Sequence, residues 1–282
     1  MRIIAPASPF DRTLFFRGIG WLAERYRVEV ADAILARQGF LAGTDAQRRR
    51  ALDEALSDPS VAAIVAARGG YGAVRISSLA KWSELRRYPK WIVGFSDVTA
   101  LHVEAQRMKV CSLHAENAAG LGRGDAAARA RWIDVLEQPA IRREHEGLSA
   151  IHGGRAEGVL AGGNLTVLCA AHSAGRLRLP DEAVLLLEDV TESSYRVDRM
   201  LSALILSGAL DRVAAVVLGD FTDCSPGVHR VPVEAVLAER LSQLGVPVLA
   251  GLAFGHGRHN LPLPLGLRAE VDTRTGRLSI GA

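Results

Sequence analysis

Residues 91–102 read Trp91-Ile92-Val93-Gly94-Phe95-Ser96-Asp97-Val98-Thr99-Ala100-Leu101-His102. The first three are an apolar run, and the apolar positions Val98, Leu101, Ala105 and Met108 that follow have helical spacing. A strand is therefore predicted to pass into a helix here, with Ser96 on the turn between them. Such a turn exposes a hydroxyl at the edge of a sheet, while the first helical N–H groups stay unpaired and open to a developing anion. The position suits a nucleophile and equally suits a helix N-cap. The α/β-hydrolase pattern Gly-x-Ser-x-Gly is not met, because Val98 stands where the second glycine would be. The turn alone admits both readings.

Outward from this turn, the first hundred residues alternate short apolar runs with helical patterns. Arg2 to Ala5 reads as a strand, and Phe15, Ile19, Leu22 and Tyr26 as one face of a helix. Val28 to Ile34 is strand-like, and Gly43-Thr44-Asp45 opens a helix running from Thr44 to Leu56. The run Val61 to Ala67 is continuous rather than alternating, as in a strand covered on both faces. A short helix and the strand Trp91 to Phe95 complete a βαβα series, which predicts the α/β class with a parallel sheet between helices.

From about Gly120 the pattern fades into a polar, arginine-rich stretch with one helix near Ala126 to Leu136. The expected organisation is an N-terminal domain over residues 1–120, a linker over 121–155 and a C-terminal domain over 156–282. The last contains a turn at Ala161-Gly162-Gly163-Asn164, a helix from Leu165, strand Ala183 to Leu187, and a helix through Tyr195 to Ser207. Strand Val213 to Leu218, a helix from Pro232 to Leu244 and strand Val246 to Leu252 follow, and short strands punctuated by Pro and Gly close the chain.

A chain of 282 residues, 49% of them hydrophobic, can bury a full core. The net charge of +3 comes from arginines scattered among acids, with only Lys81, Lys90 and Lys109 as ammonium groups. Nucleic-acid surfaces gather basic residues into a stripe with aromatics between, and aromatics here are 5% and not so arranged. Cys111, Cys169 and Cys224 are odd in number, far apart and without Cys-x-x-Cys spacing, so neither a disulfide framework nor a thiolate zinc site is indicated. With too short an apolar start for a signal peptide and no membrane-length segment, a cytoplasmic protein without a membrane or nucleic-acid partner is expected.

Three further segments carry chemistry. Arg68-Gly69-Gly70-Tyr71-Gly72 follows a predicted buried strand, and its glycines let bare N–H groups approach a ligand. It matches neither a P-loop nor a dinucleotide fingerprint, so a tight turn, a phosphate cradle and half an oxyanion hole all stay open. Glu188 and Asp189 end a predicted strand, and as neighbours they point to opposite faces, so only one can enter a given site. Caps or loop solvation are the alternative for both.

Of eight histidines, His256 is the best placed, in the turn Gly255-His256-Gly257 after a predicted strand. His259, three residues on, raises a metal alternative, but without an acid or cysteine cluster or a His-Glu-x-x-His motif. His102 and His172 lie in helical patterns and read as packed or surface residues. A serine, an acid and a histidine, each at the C-terminal end of a predicted strand, are what a nucleophile, an orienting carboxylate and a general base require.

Together these residues resemble the LD-carboxypeptidases, a family of serine peptidases that includes the microcin C immunity hydrolases. The resemblance rests on Arg68-Gly-Gly-Tyr-Gly-Ala73, Gly94-Phe-Ser-Asp-Val-Thr99, Ala156-Glu-Gly158 with Gly162-Gly-Asn-Leu165, Leu187-Glu-Asp-Val190 with Tyr195-Arg-Val-Asp-Arg-Met200, and Phe254-Gly-His256, in order over nearly the whole chain. It implies a Rossmann-like N-terminal domain, a smaller mixed α/β C-terminal domain, and a homodimer. By resemblance Ser96 is the nucleophile, Glu188 the triad acid and His256 the base, assembled across the interdomain cleft, with the amides of Gly70 and Asp97 as the oxyanion hole. The implied substrate is a small peptide: a murein tetrapeptide losing its terminal D-alanine or, alternatively, a peptidyl nucleotide. Neither metal nor organic cofactor is required. One departure is His114-Ala115-Glu116, where the family often has His-Gly-Pro; a carboxylate lining the cleft there favours a cationic substrate group. The competing reading is a non-catalytic binding module on the same scaffold.

Overall fold

The computed structural model describes residues 1–281 and divides the chain into two compact units, Met1–Glu137 and Gln138–Ala282. In the first unit the elements run β1 (Arg2–Ile4), α1 (Arg12–Ala23), β2 (Glu29–Val30), α2 (Asp45–Ser57), β3 (Ala63–Ala66), α3 (Val74–Ser77) and α4 (Ser83–Arg87). They continue with β4 (Trp91–Gly94), a 3₁₀ turn (Ser96–Val98), α5 (Thr99–Arg107), β5 (Ser112–His114), α6 (Ala118–Arg123) and α7 (Ala126–Glu137).

The five strands pair in parallel in the order β2-β1-β3-β4-β5. Their side chains alternate between two buried layers. Ile3, Val65, Val93 and Leu113 pack with Phe15, Leu22, Leu121 and Trp132, so α1, α6 and α7 cover one face. Ile4, Ile64 and Ile92 pack with Leu52, Leu56, Ile76, Leu85 and Leu101, so α2 to α5 cover the other. This is a doubly wound sheet, and the chain reverses its winding between β1 and β3. Loops leaving the carboxyl ends of strands flanking such a switch point are where α/β sheets hold ligands. The loops concerned here are those of Ser8, after β1, and Gly69-Gly70, after β3.

Helix α2 starts where the sequence indicated, through a capping box in which Gln47 N–H donates to Thr44 Oγ1 and Thr44 N–H to Gln47 Oε1. The expected strand Val28 to Ile34 shrinks to two residues at the edge of the sheet. Residues 121–155, expected as a linker, are largely ordered. Helix α7 belongs to the first unit through buried Trp132 and Val135, and two strands near residue 150 belong to the second.

The second unit runs β6 (Arg143–His145), β7 (Ser149–His152), β8 (Arg155–Asn164), α8 (Leu165–Ser173), β9 (Ala183–Val190), α9 (Ser194–Leu206) and β10 (Val213–Thr222). It ends with α10 (Val233–Ser242), β11 (Val248–Ala250), β12 (Leu263–Leu265), β13 (Arg268–Asp272) and β14 (Arg277–Ile280). Eight strands form one mixed sheet in the order β6-β14-β13-β8-β9-β10-β11-β7. Its β8-β9-β10-β11 core is parallel and its two flanks antiparallel.

Residues 161–164, expected as a turn, are instead the end of β8, with Gly162 level with Leu186 and Asn164 level with Glu188. Glycine makes this possible. Gly162 has φ +123°, and a Cβ there would come 2.2 Å from the Leu186 carbonyl oxygen. Strand β9 also runs three residues past its expected end, so Glu188 and Asp189 lie inside it.

Candidate active site

Within the first unit the structure groups Ser96, Asp97 and Gly70. Ser96 opens the 3₁₀ turn after β4 with φ +64°, a left-handed conformation that costs an L-residue roughly 1–2 kcal/mol. Residues held there cluster at functional sites, where surrounding structure over-determines them. The turn is held from behind by His102 of α5, which is fully buried. Its Nε2 lies 2.9 Å from the Gly94 carbonyl, so Nε2 carries the proton and donates, while Nδ1 accepts from Ser112 Oγ at 2.9 Å. Burial lowers the imidazole pKa to about 4, opposed by the Gly94 hydrogen bond, and the ring is neutral.

The glycine loop lies directly against the serine. A Cβ on Gly69 would sit 2.9 Å from Ser96 Cβ and 3.2 Å from Ser96 Oγ, so only glycine fits without displacing the hydroxyl. Gly70 has φ +107° and lies over Ser8, whose Oγ accepts from Tyr71 N–H at 3.1 Å. The Gly70 N–H is donated to no acceptor among the described residues. Asp97 is buried and accepts the Ala73 N–H at 2.7 Å. Burial pushes its carboxyl up to about 6, against the lowering effects of that hydrogen bond and of the Arg48 guanidinium.

Within the second unit Glu188 and His256 meet. Glu188 is fully buried in β9, and its Oε2 lies 2.7 Å from His256 Nδ1. Burial raises the Glu188 carboxyl, and the Asp189 charge adds to this, while His256 and Asn164 oppose it. Asp189 points the other way, as alternation requires. It accepts Asn164 Nδ2 at 3.0 Å, Thr166 N–H at 2.9 Å and Thr166 Oγ1 at 2.8 Å, fastening the start of α8.

The loop carrying His256 is fixed by backbone and side-chain contacts together. Asp220 N–H donates to the Phe254 carbonyl at 3.0 Å, Gly255 N–H to Asn260 Oδ1 at 3.0 Å, and the buried Phe254 ring covers Gly219. At Gly255, φ is +108° and a Cβ would come 2.6 Å from Glu188 Oε2, so glycine lets the loop close over the carboxylate. Glu116, the departure noted above, lies against Gly120, where a Cβ would approach its Oε2 to 1.8 Å.

The sequence reading missed Arg48, Asn260 and the side chain of Asp97. Arg48 sits in the charged run Arg48-Arg49-Arg50, yet with Leu52, Ala55 and Leu56 it completes the buried face of α2. That spacing was the available signal. It donates Nη1 to the carbonyls of Gly72, at 2.7 Å, and Pro6.

The sequence profile of the LD-carboxypeptidase N-terminal domain matches residues 1–115, and that of the LD-carboxypeptidase C-terminal domain matches residues 157–271. The murein tetrapeptide carboxypeptidase of Pseudomonas aeruginosa is 34% identical over 96% of this chain and 92% of its own length. The chain belongs to the LD-carboxypeptidase family. The crystal structure of muramoyltetrapeptide carboxypeptidase from Oxalobacter formigenes superposes with a TM-score of 0.88 at 30% identity, covering 100% of this chain and 98% of that one. A more distant relative is the microcin C7 self-immunity protein of Escherichia coli, 25% identical over 98% of this chain and 90% of that protein. As an LD-carboxypeptidase family member the protein is a hydrolase, with the α/β fold the sequence indicated. Among the described residues, no helix is long and apolar enough to cross a membrane.

Proposed function

We propose that this protein is a serine-type LD-carboxypeptidase that releases the terminal D-alanine from murein tetrapeptides in the cytoplasm. The observation that carries the reading is the 2.7 Å hydrogen bond between a fully buried carboxylate, Glu188, and the imidazole of His256. A carboxylate so placed fixes the tautomer that leaves Nε2 as a base, and it stabilises the imidazolium formed on protonation. Ser96, on its strained turn, is the nucleophile.

In the first step Ser96 Oγ attacks the carbonyl of the third residue, and His256 takes its proton. The oxygen that becomes anionic is held by the amides of Gly70 and Asp97, and a lost donor of that kind costs about 10²- to 10³-fold in rate. Collapse expels D-alanine, which leaves with the proton carried by His256, and an acyl-serine remains. Water, deprotonated by His256, then hydrolyses the ester and restores the enzyme. The murein substrate is favoured over a peptidyl nucleotide because the murein tetrapeptide carboxypeptidase is the nearer relative, at 34% against 25% identity. A reducing compartment agrees with three free cysteines.

Incubating the intact protein with murein tetrapeptide, and separately with a peptidyl nucleotide, and reading product masses tests the assignment. Tripeptide plus free alanine is expected from the first, and Ser96→Ala should abolish it, leaving substrate binding intact. Turnover that survives Ser96→Ala would overturn the serine mechanism.

A further inference from the structure

The two proposed oxyanion donors come from different parts of the first unit. Gly70 lies on the loop after β3, and Asp97 lies on the turn after β4. Pre-organised donors must sit within about 2.7–3.1 Å of the developing charge, and displacements near 1 Å can cost about 10²-fold in rate. Something must hold the loop in register with the turn.

Among the hydrogen bonds that fix residues 69–73, four of 3.3 Å or less reach segments distant in the chain. Ser8 N–H donates to the Gly69 carbonyl at 3.3 Å, and Tyr71 N–H to Ser8 Oγ at 3.1 Å. Arg48 Nη1 donates to the Gly72 carbonyl at 2.7 Å, and Ala73 N–H to Asp97 Oδ2 at 2.7 Å. The first three tie the loop to the segment after β1 and to α2. The fourth ties it to the residue next to the nucleophile. Asp97 is only 4% exposed, and burying a carboxylate is costly unless it is well hydrogen-bonded. An apolar residue would fill the same space at lower cost, but it could not accept the Ala73 N–H.

We propose that the Asp97 side chain is a positioning residue that holds the Gly69–Ala73 loop in register with the Ser96 turn, so that the amides of Gly70 and Asp97 act as one pair. The proposal rests on the reading of Ser96 as nucleophile. It gives the Asp97 carboxylate a role separate from that of its backbone N–H, which every substitution here leaves in place.

The test compares the intact wild-type protein with Asp97→Ala and Asp97→Asn by amide hydrogen exchange and by steady-state hydrolysis of murein tetrapeptide. Asparagine can still accept the Ala73 N–H through its amide oxygen; alanine cannot. In Asp97→Ala, the amides of Tyr71 and Ala73, which donate to Ser8 Oγ and Asp97 Oδ2, should exchange about 10-fold faster or more, with those of α1 and of the second unit unchanged. Its kcat should fall about 10²-fold with KM nearly constant. Asp97→Asn should restore the protection and most of kcat. If alanine at this buried position prevents folding, Asp97→Val, closer in volume and equally unable to accept, replaces it. Unchanged exchange at Tyr71, whose own acceptor is Ser8 and not Asp97, overturns the proposal, as does faster exchange spread evenly over the first unit, which marks general destabilisation. Should the wild-type protein hydrolyse nothing, the peptidase reading fails, while the exchange data still decide whether Asp97 holds the loop.

Discussion

The two units present their functional groups by opposite means. In the first, Ser96 is displayed by backbone conformation: a left-handed serine, a glycine loop pressed against it, and hydrogen bonds that are mostly backbone N–H or carbonyl at one end. In the second, Glu188 sits in regular strand geometry at the centre of the sheet, and its character comes from burial and from one 2.7 Å contact with His256. In a backbone-built site, added atoms should cost mainly activity and lost charge little. In a charge-built site, lost charge should cost the activity and added atoms mainly stability.

The largest effect expected from this contrast follows Glu188→Gln. The amide keeps the size of the side chain but removes the charge that favours the Nδ1-protonated imidazole, so kcat should drop about 10³- to 10⁴-fold, as when a triad acid is neutralised elsewhere. Because burial raises the Glu188 carboxyl, losing its charge should leave thermal stability at pH 7 equal or higher. Steady-state kinetics and a melting curve on the same preparation read both. A variant with near wild-type kcat would remove the electrostatic account of the second unit.

Adding one carbon sharpens the comparison from the other side. Gly69→Ala places a Cβ 2.9 Å from Ser96 Cβ and 3.1 Å from the Phe95 carbonyl oxygen, and Gly255→Ala places one 2.6 Å from Glu188 Oε2 at φ +108°. Each should cost about 1–3 kcal/mol by overpacking. Gly255→Ala should be the more destabilising, because it adds left-handed strain to the clash. Gly69→Ala should lose the more activity per kcal/mol of stability lost, since its displaced neighbour is the proposed nucleophile. Urea titrations beside kcat measurements test the ordering, and equal ratios for the two variants would erase the distinction.

The same contrast explains what was legible in the sequence. Apolar periodicity placed Ser96 and His256 in turns after strands, because it encodes where a strand ends; Glu188, expected at such an end, lies inside β9. The parallel sheet between helices followed from the alternation of strands and helices, with continuous apolar runs such as Val61 to Ala67 marking strands covered on both faces. The end of β8 misled, because Gly162-Gly163 reads as a turn locally, whereas parallel pairing with Leu186 and Leu187 decides its conformation. The linker misled too, since α7 is held by Trp132 and Val135 against a core assembled from residues far away in the chain. Asn260 and the carboxylate of Asp97 were illegible as functional supports for one reason: each accepts a backbone N–H, and backbone groups carry no sequence signature. For Arg48 the helical spacing signalled burial, though not the carbonyls it would hold.

The smallest predicted effect separates two titrating groups that flank the Ser96 turn. His102 has its pKa lowered from 6.5 to about 4, so between those values the unfolded chain binds more protons and stability falls as pH falls. Asp97 has its pKa raised from 3.8 to about 6, so over that window the folded chain binds more protons and stability rises as pH falls. From pH 7 to pH 5 the His102 term is a loss of about 2 kcal/mol, and the Asp97 term a partly offsetting gain of about 1 kcal/mol. Asp97→Asn removes only the second, so acidification should cost this variant about 1 kcal/mol more than it costs the wild-type protein. All four tryptophans, Trp21, Trp82, Trp91 and Trp132, lie in the first unit, so urea unfolding followed by tryptophan fluorescence reads that unit alone. Equal acid losses in the two proteins would mean that Asp97 carries no proton near pH 6. Its burial would then be fully balanced by the Ala73 hydrogen bond and Arg48, leaving the backbone-built half of the molecule with a permanent charge at its centre.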